Sequence, residues 1–107
     1  MKAAKEIHEK MEKIDICILN AGIMKVPFRL SEGIEIQQKV NHFSHFLFLN
    51  SVMSLIEKAE KPRVISLSSA AHQMGAGNLK LWRTFESEEE YKKVSNRLPI
   101  SNKKIWI

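Results

Sequence analysis

Three small polar groups carry the chemistry this sequence offers: Asn20-Ala21-Gly22, Asn41, and Ser68-Ser69. The first and third each close a short apolar run. Small residues let a flat ligand approach the backbone. Hydroxyl and carboxamide groups can hydrogen-bond a polarised oxygen. Taken singly, Asn-Ala-Gly is a common turn, Ser-Ser a common strand end, and an asparagine in a buried helix a partner for nearby backbone. Other reactive groups read as structural. Cys17 sits among Ile16, Ile18 and Leu19 and is expected to be a buried, inert thiol. His42 and His45 lie one helical turn apart, but no carboxylate or cysteine joins them, so no metal is expected. Tyr91 is the only tyrosine, and the residue four positions on is Ser95.

The elements that must hold these groups follow from hydrophobic spacing. Ala4, Ile7, Met11 and Ile14 recur every three to four residues, which predicts an amphipathic helix over 2–12, with Glu6–Lys10 and Glu9–Lys13 as side-chain pairs. Residues 14–20 are β-branched and apolar and stop at Ala21-Gly22, as a buried strand would. Residues 23–32 contain Pro27, lack periodicity and read as a loop. Residues 33–58 form the longest helical candidate, apolar nearly all round. Such a helix is covered by its own domain on one side and by something else on the other. Residues 63–68 predict a second buried strand. Ser87-Glu88-Glu89-Glu90 has capping-box spacing and opens a short helix reaching about Ser95.

A helix crossing between two buried strands predicts a βαβ unit of a parallel sheet. The fold class is therefore α/β, a partial doubly wound, Rossmann-type sheet. A complete sheet of that kind needs several βαβ units of about 30 residues or more, too many for 107 residues. Composition is ordinary for a soluble chain: 44% hydrophobic and 27% charged. The longest apolar stretch, 43–56, falls short of the roughly 20 residues a bilayer span needs. With one cysteine and no signal-like start, a reducing, cytoplasmic setting is expected. The net charge of +5 is uneven. Residues 92–107 hold Lys92, Lys93, Arg97, Lys103 and Lys104 and no acid, so they supply all of it. Nucleic-acid recognition would want aromatics interleaved with the basic residues. Trp106 alone does not provide that, so a nucleic-acid-binding segment is the disfavoured alternative.

Read in order, the motifs resemble the short-chain dehydrogenase/reductase family. IDICILNAGIM looks like the family's fourth strand with its NNAG motif, Leu19 standing for the first Asn. VNHFSHFLF looks like the long helix with a catalytic asparagine, Ser44 standing where the family has Gly. RVISLSSAAH looks like the fifth strand with the catalytic serine. Retinol-dehydrogenase-like members, with VNHLGHF and VNVSSLAH, are similar in pattern. The resemblance covers residues 1–78; residues 79–107 form a divergent basic C-terminal segment.

The resemblance implies hydride transfer between an alcohol and a carbonyl, with NAD or NADP as cofactor. Asn20, Ala21 and Gly22 would line the cofactor crevice, Asn41 would hold a water in a proton relay, and Ser69 would orient the substrate carbonyl. Lys103 falls at the family's lysine position, which puts Pro99 where the tyrosine proton donor belongs. A proline has no proton to give. No glycine-rich phosphate turn occurs in the sequence. The chain is thus expected to be inactive by itself. A non-catalytic piece that pairs as a homo- or hetero-oligomer through the helix at 33–58 is the alternative.

Overall fold

The computed structural model describes residues 1–24, 26–68 and 87–89. It divides the chain into two compact units. One is built from Met1–Ala21 and Phe43–Leu67, the other from Gly22–His42 and Ser68–Ile107.

The first unit is a two-stranded parallel sheet with helices against it. Helix α1 spans Lys2–Lys10, strand β1 Ile16–Leu19. The expected strand at 63–68 appears as Arg63–Ser66 (β4), after a hairpin of β2 (Leu30–Ser31) and β3 (Ile34–Glu35). Strands β1 and β4 pair in parallel, Ile16 against Arg63 through Leu19 against Ser66. The backbone N–H of Arg63 donates to Asp15 O and that of Leu67 to Leu19 O, extending the ladder at both ends. The long helix ends as α3, Ser44–Ile56. Val52, Leu55 and Ile56 recur on one face and are buried, with Phe48 and Leu49 packed beside them. They meet Ala4 and Ile7 of α1, Ile14, and Cys17 and Leu19 of β1. Two polar ties add to this core. His8 Nε2 donates to Ser51 O at 2.9 Å, a bond that needs the proton on Nε2 because a carbonyl only accepts. Ile14 N donates to Leu55 O at 3.0 Å.

Both strands were expected to be buried on two faces, and they are not. Side chains alternate across a pleated sheet. Cys17 and Leu19 therefore point to the helices and are buried, while Ile16 and Ile18 point away and are 56% and 58% exposed. Every residue of β4 is exposed. The described helices cover β1 alone, so a single layer leaves Ile18, Ile65 and Leu67 open together. The expected helix pairs also differ. Helix α1 stops at Lys10, so Lys13 lies beyond it and binds Asp15 instead, at 3.0 Å. On α1, Lys2 pairs with Glu6 at i,i+4 and 4.0 Å, both exposed, and such pairs contribute little.

In the second unit the expected loop contains a hairpin. Strands β2 (Leu30–Ser31) and β3 (Ile34–Glu35) pair antiparallel around a two-residue turn. Both turn residues have positive φ, 55° at Glu32 and 77° at Gly33. That is the signature of a type I′ turn, whose twist matches the strands it joins. Gly33 thus turns a hairpin, and the helix expected from residue 33 begins three residues later. It runs as α2 (Ile36–Gln38) and then as a π-helical turn, Lys39–Phe43. The short helix expected after Ser87 lies almost wholly outside the described residues, of which Glu88 and Glu89 are helical.

Candidate functional site

At the end of β1, Asn20, Ala21 and Gly22 are all exposed. The parallel register brings β1 and β4 to a level carboxyl edge, with Leu67 N bonded to Leu19 O. Ligands of open α/β sheets bind outside such edges. No bulky side chain stands at positions 20–22. Ser68, exposed, is the last described residue of its segment. Ser69 lies outside the described residues, as do Tyr91, Pro99 and Lys103.

The geometry joins two of the expected positions directly. The Asn41 carboxamide is clamped to the backbone of Ile23: Ile23 N donates to Oδ1 at 2.8 Å, and Nδ2 donates to Ile23 O at 2.9 Å. One donor and one acceptor on the same residue fix which end of the amide is oxygen. Gly22 lies against the same group; a Cβ placed on it would sit 3.5 Å from Oδ1, ordinary contact. So the turn after β1 and the asparagine of the long helix form one constellation. The asparagine sits in the middle of a π-turn, an insertion often found at functional positions.

Sequence reasoning missed what supports this constellation. Glu35 is fully buried and Gln37 and Gln38 nearly so. The Glu35 carboxylate accepts from Gln37 N at 3.0 Å and Gln38 N at 3.1 Å. Lys39 Nζ donates to Ser31 Oγ at 2.9 Å and pairs with Glu32. That bond, with the lysine's charge, holds the Glu32 carboxyl below its usual range. The available signal was Ser31-Glu32-Gly33 followed by the alternation Ile34-Glu35-Ile36, which reads as a hairpin. The stronger 3.6-residue spacing of Ile36, Val40, Phe43 and Leu47 obscured it. Among the described residues, no three of His, Cys, Asp and Glu converge as metal ligands, and no helix is long and apolar enough to cross a membrane.

Comparison with known proteins gives these positions a context. The family model for short chain dehydrogenase matches residues 1–82. Human retinol dehydrogenase 13 is 42% identical over 73 residues, 67% of this chain and 22% of that protein. Human retinol dehydrogenase 14 is 33% identical over 89 residues, 82% of this chain and 26% of that protein. A short-chain dehydrogenase/reductase of Armillaria gallica is 31% identical over 108 residues, 95% of this chain and 34% of that protein. No solved structure matches. The chain thus spans about a fifth to a third of the length of these relatives. A family match over most of the sequence, a parallel strand pair of the right order, and an asparagine locked to the turn after β1 agree: the chain belongs to the short-chain dehydrogenase family.

Proposed function

We propose that these residues form the middle section of an NAD(P)-dependent oxidoreductase acting on a small alcohol or carbonyl substrate. The observation that carries this reading is the Asn41 clamp on Ile23 beside Gly22. In this reading Asn20, Ala21 and Gly22 line the cofactor crevice. Asn41 holds a water of the proton relay, Ser69 orients the substrate carbonyl, and Lys103 is a weaker candidate for the relay's lysine. A bound nicotinamide cofactor supplies the hydride. The 107 residues include neither a glycine-rich phosphate turn nor a Tyr-x-x-x-Lys motif, so the chain by itself does not turn over. The test has two arms. The purified chain should show no NADH- or NADPH-dependent carbonyl reduction. A chimaera of human retinol dehydrogenase 13 that carries residues 1–78 in place of its own matching segment should retain reduction. Turnover by the chain alone overturns the first expectation; a folded but inert chimaera overturns the second.

A second reading is a pairing module that acts through the long helix. Phe43, Phe46 and Leu47 are 42%, 65% and 55% exposed on the side of that helix away from its buried face. Exposed apolar patches mark interaction surfaces. Light scattering during size-exclusion chromatography decides it: a dimer supports the reading, and a monodisperse monomer sinks it.

A further inference from the structure

We propose that Glu35 is the positioning residue for Asn41: its buried carboxylate sets where the long helix begins, and thereby keeps the Asn41 carboxamide on Ile23. This rests on the reading of Asn41 as a site residue. Its starting point is a group that the resemblance does not explain, a fully buried glutamate. A buried carboxylate is costly unless its oxygens are bonded. Here Oε2 takes the N–H groups of Gln37 and Gln38, and Oε1 lies 3.5 Å from Gln37 Nε2. Caps are usually Ser, Thr, Asp or Asn. Glu35 does the same work with a longer side chain.

Such a cap matters here because the helix start is short. Segment α2 has three residues and passes straight into the π-turn. A π-turn inserts one extra residue into the helix, with i→i+5 hydrogen bonds, so the angular position of Asn41 depends on where the segment before it starts. Lys39 ties the π-turn back to Ser31 and Glu32, and two further fixed points bear on Asn41 directly. One is the start, where Glu35 caps and Ile36 N donates to Arg29 O at 2.9 Å. The other is the centre, where Asn41 binds Ile23. A slip of one residue at the start turns Asn41 by about 100° and moves it about 1.5 Å along the axis, which breaks both bonds to Ile23.

The test is amide exchange and side-chain amide NMR on the whole ¹⁵N-labelled chain. In Glu35→Ala, exchange at Ile23 N–H should rise roughly tenfold or more, the scale of a lost helix cap. The Asn41 Nδ2 protons should move toward free-amide positions. Ile14 and Leu67, bonded within the sheet unit, should keep their protection. In Glu35→Gln, which retains an acceptor oxygen, Ile23 should stay within about threefold of the parent, since the oxygen still caps. A merely structural role in the hairpin would speed exchange at Ile34 and Ile36 and leave Ile23 and the Asn41 amide unmoved. That pattern, or unchanged Ile23 protection in Glu35→Ala, overturns the proposal. Where Glu35→Ala does not fold, Glu35→Asp, one methylene shorter, carries the same readouts, and an unmoved Ile23 in it is equally decisive. No readout uses cofactor or turnover, so a failure of the catalytic reading and a failure of this one are separable.

Discussion

Cys17 points to the covered face of β1, and its burial pushes the thiol pKa up. The folded state therefore holds the thiol proton more tightly than the unfolded chain does. That contribution is complete below the unfolded thiol's pKa, near 8.5, and is lost as pH rises through the raised folded value. Two outcomes are expected. A thiol reagent should label native Cys17 far more slowly than the urea-unfolded chain, as followed by absorbance. The melting temperature should fall above about pH 9, and the fall should be shallower in Cys17→Ala. Asn41 is the more telling residue. Asn41→Ala removes two hydrogen bonds from the Ile23 backbone, which should cost about 1–3 kcal/mol in urea titration. Asn41→Asp should cost as much or more, because a carboxylate oxygen would replace the Nδ2 donor and face the Ile23 carbonyl. The place of Asn41 in the family's pattern was legible because its neighbours Val40, His42 and Phe43 spell a motif. Glu35 was not: a buried glutamate has no signature in a linear pattern, and only folding shows that its carboxylate turns back onto two N–H groups.

Among the elements, those set by simple periodicity were legible. Helix α1, strand β1, helix α3 and strand β4 each occur where apolar spacing put them, shortened by one or more residues at their ends. The hairpin and the π-turn were hidden for opposite reasons. The hairpin has two residues per strand, too few for an alternation to stand out. The π-turn lies inside an apolar run whose 3.6-residue spacing continues across it. The hairpin allows a clean test. Gly33 has φ of 77° with nothing within 4 Å of an added Cβ, so Gly33→Ala meets strain and no clash. It should cost about 1 kcal/mol, read as lost protection at Ser31 and Ile34. Glu32 has φ of 55° and pays a similar backbone cost. Glu32→Asn suits that conformation better but gives up Lys39. With the Glu32 pKa lowered, that pairing is present at neutral pH and is lost as pH falls through the lowered value. The Asn variant should therefore match or exceed the parent in hairpin protection at low pH.

At the scale of the whole molecule, the open sheet is the feature that composition could not reveal. Burial was expected because apolar, β-branched strands belong inside parallel sheets. That inference holds for a complete sheet, whereas here the described helices cover one face of β1 and none of β4. Ile16, Ile18, Ile65 and Leu67 remain exposed, and bare apolar strands invite association. Ile18→Lys should leave the melting temperature nearly unchanged and raise the concentration at which the chain stays monodisperse in light scattering. The chain spans about a fifth to a third of its relatives, and in a complete doubly wound sheet helices cover both faces. The central claim is that the Asn41 constellation belongs to an oxidoreductase site. The most direct measurement is NADH- or NADPH-dependent carbonyl reduction by the chimaera carrying residues 1–78, with and without Asn41→Ala. Asn41→Ala should lower kcat about a hundredfold or more, typical of a disrupted proton-transfer group, in a chimaera that still folds. A folded Asn41→Ala chimaera with unchanged kcat would contradict it.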